Sequence, residues 1–219
     1  MLDRVIYKFI EAGITHIVVN VHHHADMVKR HIATLTLPEG VSVNISDETS
    51  TLLDTGGGLL KAAPLFEGFD NIVLHNADIL TDVDLRAMIG THTAAGSDVT
   101  LLVSQRKTSR YLYFNSDMLL CGWKNLKTEA VLPEGFNPDG PEKVSPFAFG
   151  GIHVLKTSVL KDLREYAPSD VFSIIPFYAS CCGKLSIRGY VPQQEYNWMD
   201  IGTPDNLAKA RETILKFNT

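Results

Sequence analysis

Short apolar segments alternate with amphipathic ones along the chain, and this alternation is the strongest constraint on its fold. The apolar spacing predicts helices over residues 2–12, 25–35, 59–63 and 84–95. Between them, aliphatic runs predict strands over residues 14–21, 41–46, 71–75 and 98–104. Strands that are joined through single helices run parallel in one sheet. The sequence therefore predicts an α/β fold with a doubly wound, mostly parallel sheet.

The second half of the chain interrupts this regular pattern. Residues 111–114 and 118–123 flank Asn115-Ser116-Asp117, which predicts a small antiparallel hairpin insertion. Residues 128–142 are rich in proline and glycine and are predicted to be a loop. Further elements are predicted as strands over 147–155 and 184–190, helices from 158 and within 171–182, and a last helix that opens at Pro204 with Thr203 as its N-cap. We expect residues 1–219 to form a single domain.

Composition excludes several classes of partner. The 219 residues are 45% hydrophobic and 21% charged, which is ordinary for a globular protein. The net charge is -5 and no dense basic run occurs, so nucleic-acid binding is not expected. No apolar run reaches the roughly 18 residues that span a bilayer, so a membrane partner is not expected either. Three cysteines, two of them adjacent, predict a reduced, cytoplasmic protein.

The triple glycine is the first candidate ligand site. Residues 54–58 read Asp-Thr-Gly-Gly-Gly and precede an amphipathic segment. Glycine allows a backbone to approach a ligand closely, and a helix N-terminus offers N–H donors. The alternative is purely structural, because glycine also marks tight turns that lead into helices.

Five motifs in a fixed order carry a resemblance to a known family. They are residues 12–20, 54–58 with Lys61 and Pro64, 76–78, 149–152 and 198–204. With these motifs the chain resembles the sugar-1-phosphate nucleotidyltransferases, in the branch of N-acetylmuramate-1-phosphate uridylyltransferase and mannose-1-phosphate guanylyltransferase-like proteins. The resemblance implies a Rossmann-like nucleotidyltransferase fold. It also implies a nucleoside triphosphate (UTP or GTP) and a sugar 1-phosphate as substrates, with a nucleotide sugar and pyrophosphate as products.

The resemblance also assigns roles to particular residues. Those matching the nucleotide-binding positions are Thr55, Gly56, Gly57, Gly58 and Asn76. Gly151 matches a backbone position near the sugar, and Asp78 and Asp200 match ligands of Mg²⁺. No catalytic nucleophile is implied, because the sugar phosphate attacks the α-phosphorus directly. The structural alternative for both carboxylates is a cap or turn role.

The front of the chain departs from the family pattern. The family begins with a strand, a Gly-rich loop that carries an Arg, and then a Lys, whereas Met1 aligns just after that Lys. The sequence therefore predicts that the first strand and the phosphate loop are missing and that activity is impaired. Arg106, Lys107 and Arg110 form a basic cluster that we expect elsewhere in the fold. Apolar surface left by the missing strand is expected to be covered by self-association, by swapped elements or by remodelled packing, and the first of these would give a homo-oligomer.

Two further functional classes stay open at this stage. One is a non-catalytic nucleotide-sugar-binding or regulatory protein, which keeps the base pocket and lacks the phosphate clamp. The other is an unrelated α/β binding domain that shares turn chemistry by chance. Binding of UTP, GTP and their sugar conjugates without turnover would favour the regulatory class.

Overall fold

The computed structural model describes residues 1–213 as an α/β protein. Its helices are α1 (Leu2–Glu11), α2 (Ala25–Ile32), α3 (Asp54–Ala62), α4 (Leu85–Ala95), α5 (Val159–Tyr166), α6 (Ile174–Cys181) and α7 (Pro204–Thr213), and a 3₁₀ turn over Ala63–Phe66 follows α3. Its strands are β1 (His16–Val21), β2 (Ser42–Asp47), β3 (Asn71–His75), β4 (Ile79–Thr81), β5 (Val99–Ser104), β6 (Arg110–Phe114), β7 (Leu120–Asn125), β8 (Val131–Leu132), β9 (Ser145–Lys156), β10 (Ile187–Tyr190) and β11 (Trp198–Asp200).

The central sheet is organised around the long strand β9. This strand pairs antiparallel with β3, β5 and β6, and β10 joins β5 in parallel. The hairpin β6–β7 extends the sheet, and β8 pairs with β7 at its end. The prediction of a Rossmann-like α/β fold with an antiparallel insertion is confirmed. The mostly parallel pairing that alternation of elements indicates is not found in this sheet within residues 1–213: β3, β5 and β6 pair antiparallel with β9, and the β6–β7 and β7–β8 pairs are antiparallel as well.

Strands β1 and β2 form a separate parallel pair. Within residues 1–213, β1 pairs only with β2, and β3 pairs only with β9. The space between the facing edges of β1 and β3 is called the β1–β3 slot below. It is bounded by α1, α3 and the 3₁₀ turn.

Helices cover both faces of the sheet and enclose two apolar cores. Helices α1 and α4 contribute Ile6, Phe9 and Met88 to one core. Helices α3, α5 and α6 contribute Leu59 and Phe177, among others, to the other. Amphipathic spacing in α1 explains its position, since its buried residues all fall on one face. None of the helices in the described part of the chain is long and apolar enough to cross a membrane.

Most predicted elements occur where the sequence places them. Strand β3 has the predicted bounds, and Asp84 caps α4 by accepting a hydrogen bond from the backbone N–H of Ala87. Thr203 caps α7 through its hydroxyl, which accepts the N–H of Asn206. The glycine turn is the clear error, because α3 begins at Asp54 and the glycines lie inside it.

Candidate functional site

Two short strands bring the candidate metal carboxylates together. Strand β11 pairs antiparallel with β4 so that Asp200 is opposite Ile79, the residue that follows Asp78. The backbone N–H of Ile201 donates to the carbonyl of Asp78 over 2.8 Å and locks the two chain segments side by side. The predicted proximity of Asp78 and Asp200 is therefore found, although neither short strand was foreseen.

A glycine between the carboxylates sets an upper limit to their separation. A Cβ atom on Gly202 would lie 3.1 Å from both Asp78 Oδ2 and Asp200 Oδ1, so the two oxygens are at most about 6.2 Å apart. The N–H of Gly202 also donates to Asp200 Oδ1 over 2.9 Å and orients that carboxylate. The absence of a side chain at Gly202 thus keeps open the space that both carboxylates face.

The electrostatics of this pair favour a cation. Burial, and then the neighbouring charge of Asp200, raise the pKa of Asp78 above its ordinary value. Like charges that approach each other disfavour the ionised state, and a bound cation relieves that cost. Among residues 1–213 no group of three or more His, Cys, Asp or Glu side chains forms a metal cage. Two carboxylates are nevertheless what Mg²⁺ typically takes from a protein when phosphate oxygens complete its shell.

Asn76 and Gly151 meet beside the carboxylates. The N–H of Asn76 donates to the carbonyl of Gly151 over 2.9 Å. Gly151 has φ +77°, and a Cβ there would lie 2.7 Å from Ile79 Cγ1. The register between β5 and β9 shifts at this point, which shows a bulge in β9. Only glycine fits this bulge, and the bulge places the Gly151 backbone at the end of β3 where Asn76 follows.

The glycine run is buried against a distant segment of the chain. A Cβ on Gly56 would lie 2.3 Å from the ring of Phe172, and one on Gly57 would lie 2.1 Å from the carbonyl oxygen of Asp170. The N–H groups of both glycines donate to the carbonyl of Phe172, over 2.9 and 3.4 Å. The expected free donors of Gly56 and Gly57 are therefore used within the protein, and close packing explains these two glycines.

The third glycine packs against two polar side chains from the β1–β2 pair. A Cβ on Gly58 would lie 2.6 Å from both Asn20 Nδ2 and Glu48 Oε1. Glu48 is 3% exposed, and its Oε2 accepts the N–H of Leu53 just before α3. Sequence reasoning missed Glu48, since a single Glu after a strand carries no distinctive signal. Thr55 faces the same cavity as Asn76, so one member of the glycine motif does line open space.

A cation lies close to the carboxylates. The guanidinium carbon of Arg106 stands 4.1 Å from the ring centroid of Trp198, and Arg106 also donates to the carbonyl of Phe149. Burial lowers the pKa of Arg106, and the charge of Asp200 opposes that effect. The expectation that Arg106 lies elsewhere in the fold is wrong. The cause is β11, which carries Trp198 and Asp200 to this edge of the sheet.

Comparison with known proteins identifies the class. A family model described as nucleotidyl transferase matches residues 1–216. The chain belongs to the nucleotidyl transferase family, and its relatives place it among the sugar-1-phosphate nucleotidyltransferases. This membership supports nucleotidyl transfer to a sugar phosphate.

Individual relatives cover most of the chain at low identity. N-acetylmuramate alpha-1-phosphate uridylyltransferase of Caulobacter vibrioides is 25% identical over 93% of this chain and 79% of its own length. Mannose-1-phosphate guanyltransferase beta-A of Xenopus laevis is 24% identical over 89% of this chain, which spans half of that relative. The crystal structure of HddC from Yersinia pseudotuberculosis superposes with a TM-score of 0.71 at 18% identity, over 97% of this chain and 84% of HddC. A second HddC structure is a complex with GMP-PN.

Proposed function

We propose that this protein transfers a nucleotidyl group from UTP or GTP to a sugar 1-phosphate, which yields a nucleotide sugar and pyrophosphate. The observation that carries the proposal is the pair Asp78 and Asp200, which share the space over Gly202. An oxygen of the sugar phosphate attacks the α-phosphorus, a new P–O bond forms, and pyrophosphate leaves with the electrons of the broken bond. Such a displacement depends on positioning and charge stabilisation more than on a protein nucleophile.

Mg²⁺ fits the carboxylate pair as the cofactor. Asp78 and Asp200 supply hard oxygen ligands. Burial, and then the charge of Asp200, raise the pKa of Asp78, and a cation held between the two carboxylates would offset that cost. When bound, the ion neutralises phosphate charge as the leaving group separates. The protein's own part is to hold both oxygens at one edge of the sheet, through the β4–β11 pairing and the Gly202 N–H.

The nucleotide is assigned to the side of the site next to α3. Thr55 and Asn76 line one cavity, and Asn76 carries an amide that can both donate to and accept from a base or ribose. We assign Gly56, Gly57 and Gly58 to the same subsite, because their close packing holds α3 against the nucleotide. The sugar is assigned to the bulge at Gly151, a buried position with φ +77° whose carbonyl accepts the N–H of Asn76.

Arg106 is assigned to phosphate binding. Its guanidinium carbon stands 4.1 Å from the ring centroid of Trp198, and its charge interacts with that of Asp200. A planar guanidinium matches the geometry of phosphate oxygens and stays charged at all working pH values. The Nε atom of Arg106 is buried without a hydrogen-bond partner, so the group has donor capacity left.

Slow turnover by the 219-residue chain is part of the proposal. The β1–β3 slot opens directly beside Asn76 and Thr55, so the nucleotide subsite lacks one wall. An incompletely enclosed site positions phosphates poorly, and positioning supplies much of the rate in such reactions. A non-catalytic nucleotide-sugar-binding protein is the second candidate, and this open wall is the observation that favours it.

Pyrophosphate release tests the reaction directly. Purified chain is incubated with Mg²⁺, UTP or GTP, and a panel of sugar 1-phosphates, and pyrophosphate is measured by a coupled assay. We expect Asp78→Asn and Asp200→Asn each to lower turnover on the order of 10²-fold, because each replaces a charged carboxylate ligand of the proposed metal site by a neutral amide. Asp84→Asn is the matched control, because asparagine caps α4 as well as aspartate does.

Calorimetry separates the two candidate functions. Binding of UTP–Mg²⁺ that is lost in Asp78→Asn, with no pyrophosphate from any sugar 1-phosphate, would establish the non-catalytic candidate. Equal turnover in wild type and both Asp variants would refute the assigned metal site. Absence of both turnover and nucleotide binding in a cooperatively folded chain would refute the proposed function as a whole.

A further inference from the structure

Asp82 binds Asn197 through both of its carboxylate oxygens. The backbone N–H of Asn197 donates to Asp82 Oδ1 over 2.6 Å, and the side-chain amide of Asn197 donates to Asp82 Oδ2 over 2.5 Å. This pair of hydrogen bonds is called the Asp82 clamp below. The hydroxyl of Thr81 also donates to the carbonyl of Asn197, over 2.6 Å. Because Asp82 directly follows β4 and Asn197 directly precedes β11, the clamp joins these strands at the end remote from Asp78 and Asp200.

The Asp82 side of the clamp is the fixed side. Thr81 and Val83, the two neighbours of Asp82 in the chain, are only 8% and 1% exposed. Asn197 instead ends a segment, residues 191–197, that forms neither helix nor strand. A residue between two buried neighbours is a rigid point from which an irregular segment can be oriented. Asp82 therefore supplies the fixed point, and Asn197 is the residue that it positions.

The β4–β11 pair needs support for its register. Each strand has three residues, and within the described residues 1–213 the two form a sheet of their own. Two-stranded pairs of this kind are marginal in water, and a short pair specifies its register weakly. Asn197 adds specificity, since a register shift of one residue would bring Tyr196 or Trp198 opposite Asp82. Neither has a short amide that reaches the same carboxylate as its own backbone N–H.

The register decides whether the two carboxylates can share an ion. In the observed register Asp200 is opposite Ile79. The carboxylate oxygens of Asp78 and Asp200 then lie at most about 6.2 Å apart, on either side of Gly202. A register shift of one residue turns the Asp200 side chain to the other face, and a shift of two moves it by about 7 Å along the strand. Oxygens that bind one Mg²⁺ lie no more than about 4.2 Å apart, because each is about 2.1 Å from the ion. Either shift would therefore break up the pair.

We propose that Asp82 is a positioning residue for the carboxylate pair. Through Asn197 it fixes the register of β11 on β4, and that register holds Asp200 beside Asp78. Asp82 is assigned no contact with metal or phosphate. The inference rests on the proposed function, since the carboxylate pair is taken as the metal site, but the clamp and the register are measurable without substrate or metal.

A reciprocal exchange of the two side chains tests the clamp. Asp82→Ala removes both acceptors, and Asn197→Asp places a second carboxylate against the first. In the double variant Asp82→Asn/Asn197→Asp, the new amide at position 82 accepts the backbone N–H of position 197 and donates to the new carboxylate there. Both hydrogen bonds are thus restored at unchanged net charge. Glu195→Gln is the matched control, because it removes one charge from the same segment at an exposed site.

Amide hydrogen exchange at Ile201 reports the register directly. The N–H of Ile201 donates to the carbonyl of Asp78, at the other end of the strand pair from the clamp. We expect its exchange to become at least about tenfold faster in Asp82→Ala and in Asn197→Asp, and to return to within about twofold of wild type in the double variant. Exchange at Leu101, which is buried in the central sheet, should stay unchanged because only the β4–β11 pair loosens.

Binding of Mn²⁺, followed by electron paramagnetic resonance, tests the positioning role. Asp78→Asn should abolish specific binding and so defines the site. Asp82→Ala and Asn197→Asp should each weaken binding about tenfold, as is typical when a residue that orients metal ligands is removed. The double variant and Glu195→Gln should bind as wild type does. A residue with a merely structural role would change stability and leave the Mn²⁺ affinity of the folded chain unchanged.

The two measurements separate failure of the inference from failure of the proposed function. Unchanged exchange at Ile201 in both single variants, or no recovery in the double variant, would overturn the clamp. Faster exchange with unchanged Mn²⁺ affinity would overturn the positioning role. Absence of Mn²⁺ binding by the wild-type chain would refute the metal role, and with it the positioning role, even where exchange confirms the clamp.

Discussion

Replacement of Gly57 by alanine sets two known effects against each other. Gly57 lies inside α3, where alanine is favoured over glycine by about 1 kcal/mol. The added methyl group would, however, stand 2.1 Å from the carbonyl oxygen of Asp170. That separation is more than 1 Å short of an ordinary carbon–oxygen contact, and the obstacle is backbone, which cannot rotate away. Either α3 or the segment before α6 must therefore shift.

The shift outweighs the helical gain. Overpacking in a tight site costs about 1–3 kcal/mol. Displacing the segment also weakens the two hydrogen bonds that Gly56 and Gly57 donate to Phe172, at about 1 kcal/mol each. After subtraction of the helix propensity, the expected net destabilisation for Gly57→Ala is about 2 kcal/mol. For a chain of this length that lowers the melting temperature by about 4–8 °C.

Gly90→Ala is the matched control. Gly90 lies in α4, and a Cβ there would meet nothing within 4 Å. The same substitution should thus stabilise the protein by about 0.5–1 kcal/mol. Urea unfolding is monitored by circular dichroism. A change in the free energy of unfolding of either variant then appears as a shift of the urea midpoint with an unchanged m-value. If Gly57→Ala were as stable as wild type, or shifted in the same direction as Gly90→Ala, the packing argument for the glycine run would be refuted.

Three further outcomes are expected. Burial lowers the pKa of His75 to about 4 and that of His153 to about 3, whereas both imidazoles titrate near 6.5 in the unfolded chain. Below pH 6.5 the unfolded chain therefore binds more protons than the folded one. The free energy of unfolding, measured by urea titration, should fall by about 1.4 kcal/mol per pH unit for each imidazole as the pH drops from 6.5 toward 4. Arg106→Lys keeps the charge but loses the planar guanidinium over the Trp198 ring, so kcat/KM should fall about tenfold with an unchanged circular dichroism spectrum. Asp84→Ala removes the cap of α4 and should cost about 1 kcal/mol in the same urea assay, whereas Asp84→Asn should cost almost nothing.

Local patterns predict much of this fold. Apolar spacing places α1 and β3 within a residue of their observed bounds, because their periodicity reflects burial against one face or in the sheet. The cap at Thr203 follows from side-chain chemistry that acts over three residues. The resemblance correctly assigns the family. Asp78 and Asp200, which the resemblance pairs, lie on either side of Gly202.

Long-range contacts account for what the sequence does not predict. The glycine run reads as a turn until Phe172, more than a hundred residues later, is seen to fill the space beside Gly56. Strands β4 and β11 have three residues each, too few for a periodic signal, so the position of Arg106 against Trp198 was unforeseeable. The nucleotide roles of Thr55 and its neighbours stay predictions.

The β4–β11 pairing makes the carboxylate site a late product of folding. Its two halves are separated by 122 residues, and that interval contains β5 to β10, the larger part of the central sheet. Closing so long a loop is entropically unfavourable unless the interior of the loop is already ordered. During synthesis, a chain that has reached β10 has a nearly finished sheet and only one of its two carboxylates. Under the proposed metal role, a chain fragment that ends before β11 carries Asp78 without Asp200, and we expect it to bind Mg²⁺ more weakly than the full chain.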